Sequence, residues 1–345
     1  MNQPDDSEGL EAPPKTARTG RWYKSFQRLL AVVSVFFVIG SLLKDKQVFV
    51  QAAAIPHRDI VLIMTVLIVA FLLHAQRFVL LIGEHCRCRI PLLDWVRMLV
   101  VVRFLNNLVP QMGSIHRGIA LKRDFGISYT DYIAANIFFV WTDTLLNFLI
   151  ALTLFQFGTT QLELFGLSAG TFFGISSACL LIGPFLAQSL LGRTKNPSKF
   201  IQKFAQVADE LIEGLRSPRY MIATTAIALA SFLLMTQVFR MLLSAVGAEA
   251  DLATLAVFYA LYRLTFHINV TPGNVGIREI AYGLLCAQAR IGMSQGLLIA
   301  AELRVLSIVV LLTIALSVAG KTLRELAVER LRGRLKGEGE MSERS

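Results

Sequence analysis

Six uninterrupted apolar runs, at 26–43, 60–82, 131–157, 167–191, 220–246 and 295–319, come close to the length of about 20 residues that an α-helix needs to cross a bilayer. The chain of 345 residues is 54% hydrophobic with a mean hydropathy of +0.58, and its charges crowd into the segments between those runs. A soluble core of this size would not absorb so much apolar surface. The sequence therefore predicts an all-α, polytopic membrane protein.

Two further apolar stretches, 92–125 and 252–290, are interrupted in the same way. The first carries Asn107-Leu108-Val109-Pro110 and Gly113, and is followed by Gly126-Ile127-Ser128 and Ile133-Ala134-Ala135-Asn136. The second carries Asn269-Val270-Thr271-Pro272, Gly273 and Gly276, and leads to Gly292-Met293-Ser294 and Ile299-Ala300-Ala301-Glu302. Backbone N–H and C=O groups freed by Pro and Gly have no water to turn to in lipid, so such breaks persist only where they line protein or a watery cavity. Both stretches read as re-entrant, broken-helix hairpins with Pro110, Gly113, Pro272, Gly273 and Gly276 at their tips; the alternative is that each is two full spans, which changes the span count.

The placement of Lys and Arg orients the spans. The N-terminal tail, the segments around Arg87 to Arg97 and Arg117 to Arg123, the loop 192–219 and the tail from Lys321 to Lys336 are basic, whereas 158–166 and 247–251 hold neither Lys nor Arg. With the basic segments in the cytoplasm, six spans leave both termini inside. The first hairpin then enters from the cytoplasmic face and the second from the outer face. Residues 21–160 and 161–325 thus read as two inverted membrane repeats, between a disordered cytoplasmic tail at 1–20 and a basic cytoplasmic tail at 326–345. The formal charge of +10 is accounted for by this pattern and forms no nucleic-acid-binding stripe, so no nucleic acid is expected as a partner. Lys44-Asp45-Lys46 separates the first run from Ala52-Ala53-Ala54 and argues against a cleaved signal peptide. Phe200, Phe204, Val207, Leu211 and Leu215 recur at helical spacing, which predicts an amphipathic helix over 198–216, lying on the cytoplasmic membrane surface or packed on the bundle.

Gly166, Gly170, Gly174 and Ala178 make a smooth stripe along the fourth run, suited to close helix packing within the chain or in a homodimer. Gly166-Leu167-Ser168-Ala169-Gly170 matches a nucleophile-elbow pattern but lacks the preceding strand. No phosphate-binding Gly-x4-Gly-Lys loop, His-Glu-x-x-His or paired-Cys frame is present, and Cys86-Arg87-Cys88 has no metal-site spacing. Neither an enzyme nor a cofactor or metal is expected.

Cationic and hydrogen-bonding side chains at membrane depth are the stronger signal. Arg103, Asn106, Asn107, His116 and Arg117 surround the first break, and Arg263, His267, Asn269, Asn274, Arg278 and Glu279 the second. Arg-bearing loops with freed N–H groups at a helix start suit a phosphate head group. The alternative is structural: Arg278 pairs with Glu302, and Arg240 or Arg304 with Asp143, and these pairs hold helices together.

The segment Thr271-Pro272-Gly273-Asn274-Val275-Gly276-Ile277-Arg278-Glu279, with Gly292 and Arg304, resembles the Pro-Gly-x-x-Gly-x-Arg-Glu signature of the lysylphosphatidylglycerol synthase transmembrane, flippase-like domain. Asn107 to Pro110, Gly113, Arg117, Leu121 and Gly126 are similar to that family's N-terminal motif. The resemblance implies a stand-alone bacterial inner-membrane member without the aminoacyl-transferase domain, and hence no lysyl transfer. It implies that an anionic lipid, of phospholipid or polyprenyl-phosphate type, is bound and moved between leaflets. Arg117, Arg263 and Arg278 would contact the head group, and Asn107 and Asn269 would shape the site. The other reading is a membrane scaffold for a lipid-modifying enzyme, recruited through 198–216 and the C-terminal tail. One departure concerns the third run: the family often carries Glu-Arg four residues before an Asp, whereas Phe139-Val140 precede Asp143 here.

Overall fold

The computed structural model describes residues 56–342, except 87, 110, 159–160, 192–211, 213–214, 216 and 268–270. The first apolar run, the N-terminal tail, Pro110, Asn269 and nearly all of 198–216 lie outside the described residues. The architecture is all-α. Five helices among the described residues are long and apolar enough to span a membrane, at His57–Glu84, Tyr129–Phe155, Ala169–Ser189, Pro218–Ala245 and Met293–Val318. They match five of the six expected spans, and the chain is a multi-pass membrane protein.

In chain order, α1 (His57–His85) is followed by the pair α2 (Leu92–Leu108) and α3 (Met112–Phe125), then by α4 (Tyr129–Phe155). A two-stranded ribbon, β1 (Glu163–Leu164) and β2 (Leu167–Ser168), leads into α5 (Ala169–Leu191). Then come α6 (Pro218–Ala245), α7 (Leu252–His267), a 3-10 turn at Pro272–Asn274, α8 (Ile277–Gln288) and α9 (Met293–Ser342). Helix α9 continues well past its apolar part and through most of the basic segment set apart at 326–345.

Local chemistry sets these boundaries. Gly126, at φ 69°, ends α3 in the left-handed conformation that lets its N–H close back on Leu121 and Lys122 carbonyls. Two residues later the Ser128 Oγ accepts the Asp131 N–H at 3.1 Å and caps α4. Ser217 caps α6, with Pro218 at its first position. The ribbon turns through Phe165 (φ 56°) and Gly166 (φ 78°), the pair of positive φ values that a tight antiparallel hairpin requires. Ser168 then caps α5, accepting the Thr171 N–H at 3.1 Å, so the apparent nucleophile elbow is a turn and a helix cap. Two members of the glycine stripe pack within the chain: a Cβ at Gly170 would sit 3.0 Å from the Phe155 ring, and one at Gly174 would sit 3.8 Å from Leu152, whereas Gly166 and Ala178 are exposed.

Both broken stretches fold back on themselves. Helix α3 packs along α2, and its last carbonyl, Phe125 O, lies 4.0 Å from Cys88 Sγ just ahead of α2. The first hairpin thus begins and ends beside the start of α4. The second begins and ends beside the other end of α4: a Cβ at Gly158 would meet Ala253 at the start of α7, and Gln288 at the end of α8 accepts the Glu163 N–H at 3.2 Å. The four hairpin helices have 17, 14, 16 and 12 residues. At 1.5 Å per residue each is shorter than the hydrocarbon thickness of about 30 Å. Helix α7 is apolar on nearly every face and is buried from Ala253 to Ala260, packed against α4, α6 and α8.

Candidate functional site

The two tips meet. A Cβ built on Gly273 would lie 3.2 Å from Asn107 Oδ1 and 3.7 Å from Asn107 Cα, so the second break touches the last turn of α2. The backbone there is irregular, with positive φ at Gln111 (65°), Gly273 (58°), Asn274 (55°) and Gly276 (86°).

Groups within the chain already take up much of the hydrogen bonding that these breaks free. Asn106 Oδ1 accepts the Gly113 N–H at 2.8 Å. Glu279 Oε2 accepts the Gly276 N–H at 2.7 Å, closing the start of α8. Arg304 of α9 gives hydrogen bonds to Glu279 Oε1 at 2.7 Å, Gly273 O at 2.9 Å and Asn274 O at 3.0 Å. Asn274 Nδ2 donates to Thr265 O, and Thr271 Oγ1 donates to Val275 O at 3.0 Å. Glu279 and Arg304 are therefore the clamp that fixes the second tip. The Gly113 and Gly276 amides, at the helix starts read from sequence as anion donors, are thus each occupied by a side chain of their own hairpin.

Asp143, near the midpoint of α4 and 1% exposed, gathers cations from two other helices. Arg77 of α1 pairs with its Oδ1. Arg263 of α7 reaches its Oδ2 through Nε at 3.1 Å and Nη2 at 2.7 Å, and His267 Nε2 lies 2.9 Å from the same oxygen. The Arg263 Nη2 also stands 3.0 Å from His74 Nδ1. A guanidinium has no lone pair to offer, so His74 accepts through Nδ1, while His267 donates to the carboxylate. Phe139, in the place where the resemblance puts a charged residue, lies under the Arg77 guanidinium at 5.3 Å.

A second set of arginines has no carboxylate partner among the described residues. Arg103 of α2 lies over the Phe266 ring at 4.4 Å and Arg278 of α8 over the same ring at 4.2 Å, one from each hairpin. Arg278 Nε also donates to Thr265 Oγ1 at 3.0 Å. Arg117 of α3 donates to Tyr132 Oη at 3.0 Å and Asn136 Oδ1 at 2.8 Å, and stands over Phe78 at 4.8 Å. Arg117, Arg263 and Arg278 all lie within electrostatic reach of Arg103. Aromatic faces attract cations through their quadrupole but do not neutralise them, so this cluster keeps a net positive field in a low-dielectric setting.

The expected pairings are replaced by others. Asp143 meets Arg77 and Arg263 instead of Arg240 or Arg304, and Arg240 is exposed on α6. Arg278 does not meet Glu302, whose two carboxylate oxygens have no hydrogen-bond partner among the described residues, and the acid that faces Arg304 is Glu279. Helical spacing ranks residues along one helix but does not say which helix lies opposite. Of the proposed head-group residues, Arg263 and His267 are engaged with Asp143 and Glu279 with the backbone. Arg117 and Arg278 rest on neutral groups, and Asn107 lies at the contact between tips. His116, half-buried, has no hydrogen bond or ion pair among the described residues. Sequence reasoning missed Arg77, His74 and Phe266; His74 and Arg77 lie at i and i+3 on one face of an apolar helix, and that spacing was the available signal.

A family model described as the lysylphosphatidylglycerol synthase TM region matches residues 26–315. Neither the curated proteins nor the solved structures compared with the chain gave a match. With that match covering most of the sequence, and with both broken-helix motifs folded into hairpins whose tips meet, the chain belongs to the lysylphosphatidylglycerol synthase transmembrane-region family.

Proposed function

We propose that the chain binds an anionic lipid head group between the two hairpin tips and carries it from one leaflet to the other by alternating access. The observation that carries this reading is the pairing of Arg103 and Arg278, one from each hairpin, over the single ring of Phe266 without a carboxylate partner among the described residues. Two guanidiniums share a π-face at this depth only at an electrostatic cost, and an anion that bridges them relieves it. The hairpins begin at opposite ends of α4, so rocking one against the other opens their junction first to one face and then to the other. On this reading 21–160 and 161–325 are inverted repeats in a bacterial inner membrane. The basic end of the bundle, with Lys122 and Arg123, is then cytoplasmic. Cysteines at Arg123 and Ser168 should label from opposite sides, and labelling from one side would refute the orientation.

Transport is tested in liposomes that contain the purified protein and fluorescent phosphatidylglycerol, with quencher added outside. Loss of inner-leaflet signal should exceed that of empty liposomes, and Arg278→Ala should return it to their level. An unchanged rate in a folded Arg278→Ala protein would remove the site, and no rate above empty liposomes with any anionic lipid would leave the scaffold reading in its place.

A further inference from the structure

We infer that the anion taken between the tips carries two negative charges on phosphate, as a phosphomonoester or pyrophosphate does, rather than the single charge of a phosphodiester. This rests on the lipid-binding reading above and narrows its substrate class.

The inference follows from the charges that the fold leaves uncompensated. Arg304 is neutralised by Glu279, and Arg77 and Arg263 share the one carboxylate of Asp143. Among the described residues Arg103, Arg117 and Arg278 have none, and Glu302 pairs with no cation there. Arg77 adds an independent observation: it is 2% exposed, yet its Nε and Nη2 have no hydrogen-bond partner among the described residues. Buried N–H donors are otherwise almost always filled. His74 lies within electrostatic reach of Arg77, Arg103 and Arg263, so Arg103 of the uncompensated set stands close to the two arginines that share Asp143. A single negative charge would leave most of this field standing. A monoester close to fully ionised near neutral pH, with three acceptor oxygens, can bridge Arg103 and Arg278 and still accept from a third cation. Phe266 holds the two arginines in place until the ligand arrives.

The test uses the full chain in detergent at pH 8. Dioleoyl phosphatidic acid and dioleoyl phosphatidylglycerol, which share their acyl chains and differ in phosphate charge, are titrated separately, with inorganic phosphate and pyrophosphate as lipid-free arms. Phosphatidic acid should bind about tenfold more tightly, a difference of ~1.4 kcal/mol. Arg103→Gln and Arg278→Gln should each erase that preference, and Arg103→Lys should keep part of it, all three retaining the parent thermal midpoint. Equal affinity for the two lipids, or a preference that survives both Gln variants, overturns the inference. Binding of pyrophosphate but not of phosphatidic acid supports the doubly charged site while making its ligand soluble. Phosphatidylglycerol transport without any binding preference overturns the inference and leaves the transport reading intact. A phosphatidic acid preference without transport of either lipid does the reverse.

Discussion

Asp143 is one carboxylate shared by two guanidiniums and an imidazole, buried near the midpoint of α4. Removing its charge strands Arg77 and Arg263 away from water, and an uncompensated buried charge costs far more than a lost surface pair. Asp143→Asn should therefore lower unfolding stability in detergent by on the order of 3–5 kcal/mol. Combining it with Arg263→Gln should recover part of the loss, since the second change removes one stranded cation. Strictly additive losses would mean that the pair is not coupled. That Asp143 needs a cation was legible, because an acid inside an apolar run must be paired or face a cavity. That the cation is Arg77 was not, because Arg77 lies near the end of its run and reads as a flank that snorkels to the surface.

Among the helices, close approach of backbones decides where the hairpins can fold. A Cβ at Gly113 would collide with Val102 O and lie 2.7 Å from Asn106 Oδ1, so only glycine lets α3 fold down onto α2 at that point. Gly296 does the same between α9 and α8, where a Cβ would collide with Tyr282 O. Gly113→Ala should cost about 1–3 kcal/mol of stability from overpacking. It should also disturb the Asn106 bond to the Gly113 N–H, read as a lowered thermal midpoint and weaker head-group binding. An unaltered midpoint would mean that α2 and α3 do not pack this tightly. Helix boundaries were largely readable, since Gly126, Ser128, Ser217 and Pro218 are local signals. The ribbon at Glu163–Ser168 was not, because two residues per strand leave no periodicity to see.

In the assembled bundle, the consequential feature is that hairpins starting at opposite ends of α4 converge at Asn107 and Gly273. With native cysteines replaced by alanine, Asn107→Cys together with Gly273→Cys should form a disulfide under mild oxidation. A Cβ at Gly273 would lie 3.7 Å from Asn107 Cα, a separation compatible with disulfide geometry. The cross-link should slow lipid movement, and reductant should restore it. A cross-linked protein that moves lipid at the parent rate would show that the tips need not separate. Residue order alone was enough to establish the membrane class and the helix-breaking motifs and, through Lys and Arg placement, to point to hairpins of opposed entry. These follow from hydropathy, backbone chemistry and charge, which act locally along the chain. It took the packed fold to show which arginines are neutralised by Asp143 and Glu279 and which converge on Phe266. Ion pairing depends on distances between helices remote in sequence, and no residue pattern within one helix carries that information.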